Sequence, residues 1–261
     1  MRVLIDPGHG PTSKNGGSQG YLEHEGMWKV SNHLRDILRE HKLTANLTRT
    51  YNQDPTLFER GSMAQGYDVF ISEHSNARAD PLCRGCSCYH SLRRSSERWA
   101  AEISRNSAIA MGNPDRGAKT RHASYSTQVD FYGVIRHAAN TNVKHIFLAE
   151  SGYHTNLVDE RWLMDDNNLR KLAGVHAAVI LKIFGIKKEE PEMSDKLDRP
   201  AHSWEISGLQ WLEEMGYLDA GRHEPQDLMT KGLFGTLMKR MRFEVDGQVV
   251  IGDGKVGRAR R

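Results

Sequence analysis

The sequence predicts an α/β fold in which helices cover both faces of a twisted, mostly parallel sheet, followed by a small, mainly helical C-terminal domain. Short apolar runs at residues 3–5, 69–71 and 145–149 are rich in β-branched and aromatic residues, as buried parallel strands are. Segments with helical spacing separate these runs, and such alternation favours a sheet covered on both faces. A chain of 261 residues suits one α/β domain with a smaller unit beyond it.

The remaining elements of this domain follow from hydrophobic periodicity. Apolar residues recur at helical spacing over 27–41, 56–66, 95–111 and 168–184. Residues 43–50 form a further strand candidate. Strands and helices therefore alternate along the first part of the chain.

Three of the predicted strands end in residues that can bind a metal or transfer a proton. The first is followed by Asp-Pro-Gly-His-Gly at 6–10, the second by Ser-Glu-His-Ser-Asn at 72–76, and the third runs into Ala-Glu-Ser-Gly-Tyr at 149–153. The carboxyl ends of parallel strands are where α/β folds hold their functional groups. We therefore expect these three turns to share one rim of the sheet.

His9, Glu23 and His74 are the candidate ligands of one zinc ion. Two imidazoles and one carboxylate leave the fourth position of a tetrahedral zinc open, as in catalytic rather than structural sites. Glu150 is the remaining carboxylate at the predicted rim. It is the candidate general base, because a proton taken from water must be accepted and passed to the leaving group.

Glu25 is an alternative to Glu23 as the carboxylate ligand. A helix that presents Glu23 to the site would bury the stripe formed by Met27, Ser31, Leu34 and Leu38. This register favours Glu23. The neighbouring His24 and Glu25 do not open a His-Glu-x-x-His zinc motif, because Trp28 occupies the position of its second histidine.

Residues 1 to about 185 resemble the zinc-dependent N-acetylmuramoyl-L-alanine amidases of the type-3 amidase family, found in bacterial cell-wall hydrolases and phage endolysins. Residues 6–10 are similar to the family's opening motif, and 20–23 (Gly-Tyr-Leu-Glu) to its glycine-rich loop and glutamate ligand. Residues 71–77 resemble its strand ending in Ser-x-His-x-Asn, and 147–156 its strand with the catalytic glutamate. The four motifs occur in the family's order.

The resemblance implies hydrolysis of the amide between the lactyl group of N-acetylmuramic acid and L-alanine in bacterial peptidoglycan, with one Zn²⁺ per chain. Asn76, within the Ser-x-His-x-Asn motif, and Arg136 are the candidate substrate-binding residues. A surface salt bridge would account for Arg136 equally well. The alternatives are a zinc peptidase or deacetylase acting on another wall amide, and a catalytically lapsed wall-binding protein.

Cys83, Cys86 and Cys88 lie close together, with His90 just beyond. Their spacing is compatible with a second zinc site. A strand would instead place Cys86, Cys88 and His90 on one face, with the thiols as small apolar side chains. We favour the strand and expect one zinc per chain, and the odd number of cysteines argues against a disulfide framework.

Charge and hydropathy exclude two classes of partner. The formal net charge is +3, with basic residues scattered among acidic ones, whereas nucleic-acid binding needs a concentrated basic footprint. A membrane span needs about 18 consecutive apolar residues, and we expect none here. Only residues 1–5 precede the first motif, which leaves no room for a signal peptide. The expectation is therefore synthesis in a host cytoplasm and action on the wall after release, as for phage endolysins.

The composition predicts a catalytic domain at 1–186, a charged linker at 187–199 and a small unit at 200–261. The linker contains lysines, glutamates and Pro191 without apolar periodicity. Beyond it, Trp204 and Trp211 mark one short helix.

Residues 228–241 mark a second helix of this unit, Asp-Gly at 246–247 predicts a β-hairpin over 243–250, and 255–261 forms a basic tail. The unit resembles helical-hairpin modules of some endolysins. About sixty residues form a small core, so both cell-wall binding and homo-oligomerisation are open functions for it.

Overall fold

The computed structural model describes residues 1–186, together with the strand residues 242–245, 248–251 and 256–257. The chain divides into two compact units, Met1–Lys188 and Glu189–Arg261.

The first unit contains a six-stranded sheet in the order β2-β1-β3-β8-β4-β5. Its strands are β1 (Arg2–Pro7), β2 (Thr44–Leu47), β3 (Val69–Asn76), β4 (Cys86–His90), β5 (Asp115–Lys119) and β8 (His145–Tyr153). The pairs β1–β2, β1–β3, β3–β8 and β4–β5 are parallel, whereas β4 runs antiparallel to β8. The predicted mostly parallel sheet is therefore confirmed, with one reversal of direction between β8 and β4.

Six helices surround this sheet in the described residues. They are α1 (Glu23–Glu40), α2 (Leu57–Ser62), α3 (Glu97–Met111), α4 (Gly133–Ala138), α5 (Leu157–Met164) and α6 (Asp166–Ile183). A separate two-stranded hairpin, β6 (His122–Ala123) and β7 (Ser126–Asp130), precedes α4.

Both faces of the sheet are buried, as its apolar strands require. In β8, Phe147 and Ala149 enter the core formed with α1, α3 and α6, whereas Ile146 and Leu148 enter a second core with α4. The carboxyl ends of β1, β3 and β8 lie side by side, because these strands are adjacent and parallel.

The described strands of the second unit form an antiparallel three-stranded sheet of β9 (Arg242–Val245), β10 (Gln248–Ile251) and β11 (Val256–Gly257). Val245 pairs with Gln248 across Asp-Gly at 246–247, where the sequence predicts a hairpin turn. The predicted linker and the two predicted helices of this unit lie outside the described residues. No helix in the described part of the chain is long and apolar enough to cross a membrane.

Candidate active site

The ends of β1, β3 and β8 bring the three sequence motifs to one rim. Pro7 pairs with Glu73, and His74 with Glu150 in the next strand. After β1 the chain turns sharply: Gly8 donates its N–H to the carbonyl of Glu73 at 2.9 Å, and a Cβ on this glycine would clash with that carbonyl. His9 then adopts a φ of 56°, in the left-handed region that non-glycine residues rarely occupy, and this turn directs it toward the site.

His9, Glu23 and His74 form a compact group with ligand atoms that all lie within 4.8 Å of one another. Glu23 Oε2 lies 3.2 Å from His9 Nε2, and Glu23 Oε1 lies 3.0 Å from His74 Nδ1. Ligand atoms of a tetrahedral zinc with bonds of about 2.0–2.2 Å stand roughly 3.4 Å apart. The donor set and its spacing therefore fit zinc.

Glu23 is held as a carboxylate although it is only 2 % exposed. Burial would raise the pKa of Glu23, but its contacts with His74 and His9 outweigh that effect and lower the pKa. The backbone N–H of Ser75 also donates to Oε1 at 3.1 Å. Glu25, the alternative ligand, instead accepts a hydrogen bond from the hydroxyl of Tyr51 at 3.3 Å, so the structure groups Glu23 with the two histidines.

The loop before α1 positions both Glu23 and His9. The carbonyl of Asn15 accepts the N–H of Glu23 at 2.9 Å, and the Asn15 side chain lies 3.2 Å from His9 Nε2. Glu160, from α5, is fully buried and accepts the N–H groups of Gln19 at 2.6 Å and Tyr21 at 3.3 Å. Glu160 thus holds the loop before α1 in place, although its sequence context did not mark it as a functional residue.

His74 is oriented by a buried polar chain that begins at Arg60. Arg60 donates two hydrogen bonds to Asp6, at 2.7 and 2.9 Å, and Asp6 accepts the hydroxyl of Ser72 at 2.6 Å. Ser72 Oγ lies 3.1 Å from His74 Nε2, which leaves Nδ1 directed toward Glu23. Outer partners of this kind fix the orientation of metal-binding histidines.

Asp6 is ionised within this chain. Its burial alone would raise the pKa of Asp6. The charge of Arg60, and the hydrogen bonds donated by Arg60, Ser72 and Thr48, lower the pKa below its ordinary value. The sequence gives no local signal for this pair, because Asp6 and Arg60 are 54 positions apart.

Glu150 lies in the same cleft as the three candidate ligands, and the cleft has a volume of about 340 Å³. It is 9 % exposed, and its Oε2 has no hydrogen-bond partner among the described residues. Burial, followed by the charge of Glu23, raises the pKa of Glu150 to about 8, while Lys119 opposes the rise. A carboxylate with this environment can exchange a proton near neutral pH.

The two predicted substrate-binding residues differ in their positions. Asn76 lines the cleft, and its Oδ1 accepts the N–H of Ala77 at 2.8 Å. Arg136 does not line it: its guanidinium donates to the backbone carbonyls of Asp130 and Phe131 at 2.9 and 3.2 Å. Arg136 therefore supports the segment that leads to the cleft residue Tyr132, through backbone contacts rather than a salt bridge.

His154 also lines the cleft, and sequence reasoning assigned it no role. Its Nδ1 lies 2.9 Å from the hydroxyl of Ser75, and it is 3 % exposed. Burial lowers the pKa of His154, so it is neutral near pH 7. Its position within the fourth motif, two residues after Gly152, was the available signal.

Within residues 1–186, no second group of potential metal ligands accompanies the cysteines. Cys86 and Cys88 are buried in the core beside α3, and burial raises the pKa of the Cys86 thiol to about 12. The Cys86 thiol lies 3.5 Å from the sulfur of Met111. These two cysteines therefore serve as apolar core residues of β4.

A six-stranded sheet flanked by helices, with a His-Glu-His donor set that fits zinc and a buried glutamate at its rim, is typical of the zinc hydrolase class. The chain belongs to the Amidase_3 family of N-acetylmuramoyl-L-alanine amidases, whose model matches residues 3–182. The resemblance seen in the four sequence motifs is thereby confirmed at the level of the family.

Individual relatives agree with this assignment. The N-acetylmuramoyl-L-alanine amidase AmiA of Salmonella typhimurium strain LT2 is 33% identical over 90 residues, which is 33% of this chain and 31% of that protein. The chain thus matches about a third of the length of this curated relative.

Two solved structures share the fold. The catalytic domain of CwlV, an N-acetylmuramoyl-L-alanine amidase from Bacillus (Paenibacillus) polymyxa var. colistinus, is 27% identical with a TM-score of 0.61, covering 72% of this chain and 100% of that one. The amidase AmiC2 of Nostoc punctiforme is also 27% identical with a TM-score of 0.61, covering 71% and 97%.

Proposed function

We propose that this protein hydrolyses the amide between the lactyl group of N-acetylmuramic acid and L-alanine in peptidoglycan, with one zinc per chain. The observation that carries the proposal is that the ligand atoms of His9, Glu23 and His74 lie within 4.8 Å of one another in the cleft that also contains Glu150. Membership of the amidase family supports the substrate.

In this proposal the chain holds zinc through His9, Glu23 and His74. Zinc bound there would act as a Lewis acid, which would polarise a carbonyl oxygen and make water a stronger acid. The loop at Asn15 and the Arg60–Asp6–Ser72 chain keep the two imidazoles oriented.

Glu150 is the proton carrier of the proposed reaction. Its Oε2 is buried without a hydrogen-bond partner among the described residues, so it is available to accept a proton from water and return it to the departing alanine amine. Leu57, Tyr132 and Val134 form an apolar part of the cleft wall near this transfer.

Mass spectrometry of fragments released from purified peptidoglycan tests the proposal. We expect the zinc-loaded chain to release stem peptides with a new alanine amino terminus and to leave intact muramic acid on the glycan. Free acetate would identify a deacetylase, and cleavage within the stem would identify a peptidase. Absence of any product, from protein shown to contain zinc, would support a wall-binding protein without activity. The Glu150→Gln variant serves as the matched control.

We also propose that this protein is a phage or prophage endolysin, which is made in the host cytoplasm and reaches the wall after release. The proposal is supported by the similarity of residues 200–261 to modules that follow the catalytic domains of some endolysins. Co-expression with a membrane-permeabilising phage protein tests it. Lysis should need both proteins and Glu150, and lysis by the enzyme alone would contradict this setting.

A further inference from the structure

We propose that Arg78, Arg116 and Lys119 form a carboxylate-binding subsite at the edge of the cleft, which holds the anionic stem peptide beyond the L-alanine of the substrate. This inference rests on the proposed amidase function and adds residues that lie outside the four sequence motifs.

Lys119 lies on the same face of the sheet as Glu150. Lys119 pairs with Tyr89 of β4, and Tyr89 pairs in turn with Leu148 of β8. Directly paired residues share a face, as do residues two apart in one strand, so Leu148 and Glu150 continue that face. The side chain of Lys119 is therefore directed to the cleft side and not to the core beneath α3.

Aromatic contacts extend this path to the cleft. The Lys119 ammonium lies 5.9 Å from the centroid of the Tyr89 ring. The Tyr89 ring lies 4.7 Å from that of Tyr132, which lines the cleft. The Lys119 ammonium is thus linked to the cleft wall through the adjacent rings of Tyr89 and Tyr132.

The two arginines converge on one buried thiol. Arg78 Nη1 lies 3.9 Å and Arg116 Nη2 lies 3.4 Å from Cys83 Sγ. The Arg116 guanidinium also lies 5.5 Å from the ring of Tyr153, the last residue of the strand that carries Glu150. Both guanidinium groups therefore lie near the end of β8.

None of these three cations lies within salt-bridge distance of a carboxylate in the described part of the chain, in contrast with their neighbours. Arg84, in the same loop, pairs with Asp159 at 2.8 Å. Burial, followed by the nearby charge of Arg116, lowers the pKa of Lys119; Glu150 opposes this shift, and Arg78 adds to it. Like charges held together in this way repel one another, so a bound anion would stabilise them.

The chemistry of the substrate indicates which anion this is. The muramic acid carboxyl is consumed in the scissile amide, and the sugars themselves carry no charge. The negative charges nearest to the bond being cleaved are therefore carboxylates of the stem peptide. Guanidinium and ammonium donors form their strongest hydrogen bonds with such groups.

Calorimetric titration of two ligands tests the subsite. N-Acetylmuramoyl-L-alanyl-D-glutamate and its α-carboxamide differ by one negative charge, and the zinc-loaded Glu150→Gln chain binds them without turnover. We expect the acid to bind at least about tenfold more tightly, because hydrogen bonds to charged groups are stronger than those to neutral groups. Adding Lys119→Gln or Arg116→Gln should remove most of this preference. Lys119→Arg should retain it, and so should the control Arg170→Gln, which removes an exposed arginine from α6.

Hydrolysis by the chain with Glu150 intact separates this inference from the proposed function. Arg116→Gln should raise KM for the acid more than for its α-carboxamide, because the contact exists before reaction. Equal binding of acid and amide, or a preference that survives both substitutions, would overturn the subsite. Selective binding without hydrolysis would overturn the amidase proposal and leave the subsite standing.

Discussion

The Arg60–Asp6 pair should contribute more to stability than a surface ion pair, and Arg60→Met tests this. Asp6 is fully buried and Arg60 is 4 % exposed, with two hydrogen bonds between them. Removing one partner of a buried pair leaves an uncompensated charge, which costs about 3–5 kcal/mol. We expect the free energy of unfolding to fall by about that amount, reduced by the bonds that Ser72 and Thr48 still donate to Asp6.

Urea denaturation of the zinc-free chain at pH 7 measures this change. The matched control is Arg35→Met, because the pair of Arg35 (25% exposed) and Asp36 (57% exposed) lies at the surface and surface pairs contribute only about 0–1 kcal/mol. The double substitution Asp6→Asn with Arg60→Met should recover part of the loss, since it removes the unpaired charge. If Arg60→Met costs no more than Arg35→Met, the buried chain does not support the fold as we describe it.

The same pair predicts the direction of the pH dependence. The pKa of Asp6 is lower in the folded chain than its ordinary value, even though burial opposes this, because Arg60 outweighs the effect. A lowered folded pKa means that the unfolded chain binds the proton more readily, so this stabilisation is present above about pH 4 and is lost as the pH falls through the folded pKa. In Arg60→Met the pKa of Asp6 should rise, and acid unfolding should begin at a higher pH. Unchanged acid unfolding in that variant would contradict the assignment.

The remaining predictions concern the site and the second unit. Glu150→Gln should retain zinc while losing about a hundredfold to ten-thousandfold in rate, and zinc depletion in that variant would make Glu150 a ligand. His74→Ala should lose the metal, as metal analysis would show. Zinc content should be one per chain and unchanged by Cys86→Ser, whereas two zincs falling to one would indicate a site at the cysteines. A chain ending at residue 186 should cleave soluble muropeptides normally and intact walls more slowly, because tethering raises the local enzyme concentration. If the full-length and truncated chains are equally active on intact walls but differ in oligomeric state, residues 187–261 mediate assembly.

Much of the sheet could be predicted from the sequence because buried parallel strands are continuous apolar runs. β1, β3 and β8 fall on the predicted runs, and their ends meet as expected. The reversed direction of β4 could not be predicted, since the direction of a strand depends on its neighbours and not on its own pattern. β5, with the sequence Asp-Arg-Gly-Ala-Lys, has almost no apolar content and gave no strand signal.

The start of the first helix was difficult to predict because its first turn carries a candidate ligand instead of apolar residues. Apolar periodicity predicts a start at residue 27, but α1 begins at Glu23. The first turn is polar because Glu23 faces the two histidines, so the apolar stripe starts only at Met27. The candidate ligand therefore lies in the turn that periodicity leaves out.

This position also helps to explain how a buried carboxylate is tolerated at the start of α1. Leu22 caps the helix without a side-chain hydrogen bond, and the carbonyl of Asn15 accepts the N–H of Glu23 instead. The positive end of the helix dipole stabilises a carboxylate in the first turn. The two histidines and the N–H of Ser75 also stabilise the ionised form of Glu23. A single loop thus completes the hydrogen bonding of the helix end and sets the ligand in place. Because the backbone carbonyl makes this bond, Asn15→Ala should leave zinc affinity unchanged, and zinc titration of that variant checks this; a loss of affinity would assign the role to the Asn15 side chain beside His9 Nε2.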